Sequence, residues 1–188
     1  DRGITEKVEM IEVIATEAIN ESVLQDMLAK VAGDWKELDF ELKPYKELKN
    51  MFIIGSVDDV LQQLDDSLVT IGAIMGSRYV GAIRDVVEKW HGKLMLLQAT
   101  LDQWLECQKT WMYLEPIFAA PDIQRQLPNE SKVFKNVSSS FKDIMKQTNL
   151  DANCIKQGAA KGRREAFAKN NAMLDGVQRG LEEYLQTK

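Results

Sequence analysis

Apolar residues recur three or four positions apart along most of the chain, which is the spacing of one face of an α-helix. This spacing predicts helices over residues 5–36, 57–75, 82–114, 129–147 and 151–187. The last of them is expected to break between Gly158 and Gly162, because glycine disfavours a helix interior. The segment Ser56-Val57-Asp58-Asp59 resembles a capping box, with Asp at the position where Glu is usual, and this predicts a helix start.

The most regular pattern begins near residue 82. Its large apolar residues repeat at an interval of seven, at Ile83, Trp90, Leu97, Trp104, Trp111 and Phe118. A second row follows the first three members by four positions, at Val87, Leu94 and Leu101. The two rows predict a helix about 50 Å long that forms the spine of the core.

The C-terminal end of this spine is expected to differ from the rest. The second row becomes polar at Gln108 and Glu115, which predicts that the packed seam opens there. Pro116, followed by Pro121, is expected to end the helix, because proline has no N–H to donate and its ring clashes with the preceding turn.

A period of two replaces the helical spacing near residue 38. Leu38, Phe40 and Leu42 alternate with charged residues, and a second apolar run occupies residues 51–54. This alternation predicts a β-hairpin of two short strands near residues 38–54. We therefore expect a mainly α fold, an elongated helical bundle with one small β-hairpin, as a single unit over residues 1–188. Both chain ends resemble cuts, which suggests a piece of a larger protein.

Composition and charge narrow the possible functions. Hydrophobic residues make up 45% of the 188 positions and charged residues 28%, which argues against large-scale disorder. The net charge of −5 argues against a nucleic-acid binder. No apolar run approaches the roughly 20 residues of a membrane span. Cys107 and Cys154 form no C-x-x-C pair, so reduced thiols in a cytosolic protein are expected, with Cys107 buried beside the seam.

Candidate catalytic chemistry is sparse. His91 is the only histidine, which excludes a His-based triad or a two-His metal site. The segment from Gly76 to Gly81 has the glycine spacing of a P-loop, but Ala82 and Ile83 replace the required Lys and Ser/Thr. Two acidic pairs share one helix face, at Asp58, Asp59, Asp65 and Asp66. A solvated face is favoured over a metal or acid/base role for them. We expect no catalytic residue, cofactor-binding residue or metal ligand, and therefore no enzyme in this chain.

Basic residues cluster near the predicted break in the last helix, at Lys156, Lys161, Arg163, Arg164 and Lys169. The simplest interpretation is a solubilising face, which most charge clusters of this size are. The alternative is docking against an acidic protein surface.

A longer motif occupies residues 104–134. It consists of Trp104, Gln108 and Trp111, then Tyr113-Leu114-Glu115 with Ile117-Phe118, Asp122-Ile123, Gln126-Leu127-Pro128 with Glu130, and finally Phe134. This order closely resembles the linker region of dynein heavy chains. Trp35 and Phe40 before the hairpin, and the segment from Leu181 to Leu185, match the same region, so the resemblance covers essentially the whole chain. Glu115-Pro116 after Tyr113-Leu114 is more similar to axonemal than to cytoplasmic dyneins.

The resemblance implies a mechanical function. Dynein linkers arch over an AAA+ ring and change angle between nucleotide states, and this chain would supply the N-terminal, tail-proximal helical part of that lever. The parent chain would be an ATP-hydrolysing motor in the cytoskeleton, in the axoneme of a cilium or flagellum.

The same resemblance implies the partners. They would be the AAA+ ring and the remaining linker, with microtubules contacted only through the parent motor, and with no cofactor, nucleic acid or membrane bound by this part. Either the hairpin at 38–54 or the basic cluster is expected to contact the ring, with Lys161, Arg163 and Arg164 as candidate residues.

A non-motor helical scaffold or protein-interaction module, of spectrin-like or tethering type, is the alternative interpretation. It predicts repeats at a constant period along the whole chain, and the sequence shows none.

Overall fold

The computed structural model describes residues 21–48 and 51–187 of the chain. Within these ranges lie seven α-helices, α1 Glu21–Lys36, α2 Asp58–Met75, α3 Arg84–Phe118, α4 Pro121–Gln126, α5 Pro128–Leu150, α6 Cys154–Gly158 and α7 Arg163–Gln186. Two strands, β1 Leu42–Pro44 and β2 Phe52–Ile54, pair antiparallel with Leu42 opposite Ile54. The predicted mainly α fold with a small hairpin is confirmed. Of the predicted helix 5–36, residues 5–20 lie outside the described part.

Helix α3 forms the spine of the core, as its repeat of seven predicts. Leu97, Trp104, Trp111 and Phe118 are buried, whereas Trp90 is half-buried. Five aromatic side chains from other elements pack against this row with ring centroids 4.9–5.4 Å apart, in the pairs Phe40–Trp104, Tyr45–Trp111, Trp104–Phe167, Trp111–Phe141 and Phe118–Phe134. Helices α2, α6 and α7 also pack along α3, so nearly every element of the fold is positioned by this one helix.

The prediction that Pro116 ends the spine is wrong. Helix α3 continues through Pro116 to Phe118, where the buried ring of Phe118 stacks on Phe134 at 5.3 Å. Proline removes the hydrogen bond to the carbonyl four residues earlier and its ring crowds that carbonyl, but the packing of the last turn keeps the helix intact. The actual end is set by Pro121, which favours the extended backbone of Ala120, with φ −74° and ψ 125°.

The start of α2 also differs from its predicted form. The Ser56 hydroxyl accepts from the N–H of Asp58 at 3.4 Å, and the N-cap residue is Val57, whose side chain makes no capping hydrogen bond. The Ser56 N–H donates to a carboxylate oxygen of Glu41 in the hairpin, at 2.9 Å, rather than to the expected Asp59. A carboxylate from a neighbouring element therefore replaces the local capping box and ties α2 to the hairpin.

The predicted break near residues 158–162 is confirmed. Helix α6 ends at Gly158, and α7 begins after Gly162, whose φ of +80° is a conformation that glycine adopts without strain. The chain thereby reverses so that α7 can pack against both α3 and α5.

Candidate functional site

The hairpin is fastened to the C-terminal half of α3 by one buried side chain. The N–H of Ile54 donates to the Gln108 carbonyl oxygen at 2.7 Å, and the Gln108 amide nitrogen donates to the Ile54 carbonyl at 2.9 Å. The amide thus pairs with both backbone groups of one strand residue, an arrangement that fixes position and orientation together. The expectation that the seam opens at Gln108 is wrong, because the hairpin covers it.

Glu115, one heptad further along α3, holds the tip of the hairpin. Its carboxylate accepts from the Lys46 ammonium at 3.3 Å and from the Tyr45 hydroxyl at 3.5 Å. The ring of Tyr45 packs edge-on against Trp111, with centroids 4.9 Å apart. The hydrogen bond to Glu115 raises the pKa of Lys46 above its usual value. The polar positions of the second row therefore bind the hairpin instead of facing solvent.

A second junction joins α1, the hairpin and α6. The Asn153 amide donates to the carbonyls of Trp35 and Lys36, each at 3.0 Å, while its own oxygen accepts from the N–H of Lys156 at 3.1 Å. One side chain therefore caps the end of α1 and the start of α6.

Backbone hydrogen bonds reinforce the same junction. The N–H of Phe40 donates to the Ala152 carbonyl at 2.8 Å, and that of Cys154 donates to the Leu38 carbonyl at 3.0 Å. The only sequence feature pointing to this junction is an asparagine immediately before a helix, and it does not reveal the distant partners.

The structure divides the predicted basic cluster. Arg163 is half-buried over the ring of Trp104, 5.7 Å from its centroid, and it donates to the Gln157 and Gln147 side chains at 2.9 and 3.0 Å. Burial lowers the pKa of its guanidinium. Lys156 pairs with Asp151 at 3.2 Å.

The other members of the cluster, Lys161, Arg164 and Lys169, are exposed. Of the three candidate ring-contact residues, Lys161 and Arg164 are therefore available to a partner, whereas the Arg163 side chain is occupied within the fold.

The acidic residues, the histidine and the cysteines singled out in the sequence differ in their exposure to solvent. The four aspartates of α2 are exposed, as a solvated face requires, and His91 is half-buried beside Trp90. Cys107 and Cys154 are buried and unpaired, and burial raises the pKa of each thiol to about 12, which suits structural residues.

Two features are absent from the described part of the chain. Over residues 21–48 and 51–187, no three His, Cys, Asp or Glu side chains are grouped to hold a metal ion. The helices in the same ranges are too short or too polar to cross a membrane.

Comparison with known proteins gives the family. The family model described as dynein heavy chain, N-terminal region 2, matches residues 1–188. Human dynein axonemal heavy chain 6 is 42% identical over 178 residues, covering 95% of this chain and 4% of its own length. Mouse dynein axonemal heavy chains 1 and 3 are 35% and 34% identical over 100% and 99% of this chain, again 4% of their own length.

The chain therefore spans about one twenty-fifth of these relatives. The family model covers every residue, and the three relatives named above are of axonemal type. The sequence motif at residues 104–134 and the helical spine that it forms agree with this match. The chain belongs to the dynein heavy-chain family, as an axonemal-type N-terminal region 2.

Proposed function

We propose that this chain is a stiff segment of the dynein linker, a lever that carries force from the AAA+ ring toward the tail. The observation that carries the proposal is the pairing of Gln108 with both backbone groups of Ile54. Bending the hairpin away from α3 would leave these buried groups without partners, which costs far more than bending an exposed loop. A lever needs such contacts because a compliant segment absorbs displacement instead of passing it on.

The chain is part of a dynein motor heavy chain, and that membership supports the rest of the proposal. ATP hydrolysis would take place in the ring, outside this segment, and microtubules would be contacted through the parent motor. Axonemal relatives place the chain with the cytoskeleton of cilia and flagella. Its immediate partners would be the ring and the rest of the linker.

The lever role can be tested by removing, in the full heavy chain, one contact that holds the hairpin against α3. Glu115→Ala removes the contacts to Lys46 and Tyr45, and Glu106→Ala is the matched control, because Glu106 is exposed on the same helix. We expect the Glu115 variant to move microtubules more slowly in gliding assays while its ATP hydrolysis rate is retained. If the Glu115→Ala variant moves microtubules as fast as the unchanged heavy chain, the lever role is contradicted.

The ring contact is tested separately at the basic cluster. In the full heavy chain, Lys161→Glu with Arg164→Glu should slow gliding, because both side chains are exposed and their reversal leaves the core intact. Arg163 is left unchanged, since its side chain is bound inside the fold. The control reverses two exposed lysines of α3, Lys89 and Lys109. Equal velocities for the two double variants would contradict a ring contact through this cluster.

A further inference from the structure

Helix α5 carries a continuous positively charged surface. Its exposed lysines, separated by three, seven and four residues, are Lys132, Lys135, Lys142 and Lys146, with Ser139 between the second and third. At 100° per residue and 1.5 Å rise, these positions lie within an arc of about 80° and extend over about 21 Å. We call these four residues the lysine face. It points away from the core, to which α5 contributes Phe134, Val137 and Phe141.

The charge of the lysine face is not balanced within the described part of the chain. None of its four lysines forms an ion pair there. Asp143 is exposed at the edge of the face and is the nearest carboxylate in sequence. Like charges three or four residues apart on a helix repel each other. A charge concentrated in this way, on a chain of net charge −5, is suited to an acidic partner.

Two grooves follow the same flank of α5. The first lies between α4 and α5 and is lined by polar and basic side chains that include Gln124, Arg125, Lys132 and Lys135. The Arg125 guanidinium in this groove is paired with the Asp122 carboxylate, so the positive charge along this flank comes from Lys132 and Lys135.

The second groove is apolar at its base. It has a volume of about 570 Å³ and lies between the hairpin and α5, lined by Leu48, Met51 and Trp111 with Ser139 and Lys142 at its rim. The Leu48 side chain is 44% exposed, so an apolar surface is open to a partner here. A carboxylate, that of Glu115, also lines this groove, but the Lys46 ammonium lies 3.3 Å from it and offsets its charge.

We propose that the lysine face binds an acidic helix of a separate polypeptide, which places one apolar side chain in the groove beside Leu48. A straight surface 21 Å long, about four helical turns, matches a helix that presents carboxylates along one side. Charge dominates the surface and the apolar part is small, which is typical of reversible contacts, whereas permanent interfaces are more apolar. This inference does not depend on the lever role.

The test compares lysine reactivity in isolated axonemes that contain the intact heavy chain. Limited acetylation followed by mass spectrometry is performed at low and at high salt. We expect Lys135 and Lys142 to be protected several-fold at low salt and to become reactive at high salt, because exposed ion pairs are screened. Lys89 and Lys109, exposed on α3, are the controls and should react equally at both salt concentrations.

Cross-linking with a carbodiimide, which joins a lysine directly to a carboxylate, identifies the partner. We expect links from Lys135 or Lys142 to a helical acidic segment of another polypeptide, and their loss in Lys135→Glu/Lys142→Glu but not in Lys89→Glu/Lys109→Glu. A synthetic peptide of the linked segment should bind the first double variant about tenfold more weakly than the parent chain. Leu48→Ser should also weaken binding of this peptide. Leu185→Ser, which changes an exposed leucine of α7, should leave the binding unchanged.

Three results would overturn the proposal. The first is equal reactivity of Lys135 and Lys89 at low salt. The second is a set of cross-links confined to the same heavy chain, which would make the surface an internal contact. The third is a linked segment without helical structure, such as an acidic tail.

Discussion

Gly158 offers the sharpest test of the packing between α6 and α3. A Cβ atom built at this buried glycine would lie 2.0 Å from Cδ1 of Leu97 and 3.3 Å from its Cγ. The Leu97 side chain is itself fully buried, so its methyl group has no solvent-exposed space to move into. Gly158→Ala therefore forces Leu97 into a strained rotamer or displaces α6.

The expected decrease in the free energy of unfolding is the difference between two opposing effects. Overpacking of a close-packed core costs about 1–3 kcal/mol. Alanine stabilises the protein by at most about 1 kcal/mol relative to glycine, because it restricts the conformations of the unfolded chain. We expect Gly158→Ala to lower the free energy of unfolding by about 1–2 kcal/mol, and the melting temperature by about 2–8 °C for a domain of this size.

Urea unfolding followed by circular dichroism measures this loss, with Gly176→Ala as the matched control. Gly176 is an exposed residue inside α7, and a Cβ added there meets nothing within 4 Å, so this variant should gain about 0.5–1 kcal/mol. If the two variants shift the urea midpoint in the same direction by similar amounts, the steric explanation is refuted.

A double variant identifies the atom responsible. Leu97→Ala alone should cost about 2–5 kcal/mol, as truncation of a buried leucine does. In that background Gly158→Ala should be neutral or stabilising, because the new methyl group enters the space that the leucine left. If the decreases in the free energy of unfolding of the two single variants simply add, the alanine methyl group does not clash with Leu97.

Three further predictions concern buried polar groups and thiols. Gln108→Ala should lower the free energy of unfolding by about 2–4 kcal/mol in urea titrations, because it leaves two buried backbone groups unpaired. Arg163→Ala should lower the melting temperature measurably, through lost hydrogen bonds and ring contact, whereas Arg164→Ala should change the free energy of unfolding by less than about 0.5 kcal/mol. Burial raises the pKa of Cys107 and Cys154 to about 12, so the folded thiols keep their protons above pH 9, where unfolded thiols ionise. This contribution to stability is complete below pH 9 and decreases as the pH rises, by at most about 2.7 kcal/mol per pH unit for the two thiols. Urea titrations between pH 9 and 10.5 should show a shallower decline in a variant with both cysteines changed to alanine.

The helices could be predicted from the sequence because burial repeats with the helical period. The apolar spacing that predicts α2 and the repeat of seven in α3 depend on residues close together in the chain, so local spacing is sufficient. The exception is Pro116, where tertiary packing overrides a strong local preference. The cost of one missing hydrogen bond is offset by the burial of Leu114 and Phe118 on either side of it.

The contacts that hold the hairpin could not be predicted in the same way. Gln108 and Glu115 are polar at positions where the spine is otherwise apolar, and spacing alone assigns such residues to solvent. Their partners lie 54 to 70 residues away in the sequence. The role of a polar residue in a core position can be assigned only when its hydrogen-bond partner is known. Identifying that partner requires the tertiary structure.

The basic cluster shows the same limit at the level of two adjacent residues. Arg163 and Arg164 have equal charge and neighbouring positions, yet a rotation of about 100° along α7 places the first against Trp104 and the second in solvent. The sequence could identify the cluster, but it could not say which of its members remain available to a partner.

The bridge between Asp39 and Asn153 has a consequence for how the chain acquires its structure during synthesis. The two residues are 114 positions apart (153 − 39 = 114), so the end of α1 cannot be capped until Asn153 has left the ribosome. At about 5–20 residues per second, this wait lasts about 6–23 s. Throughout it, the carbonyls of Trp35 and Lys36 lack their donor and the N–H of Phe40 lacks its acceptor. Slow or paused translation therefore prolongs the time in which this end of α1 can aggregate or bind a chaperone.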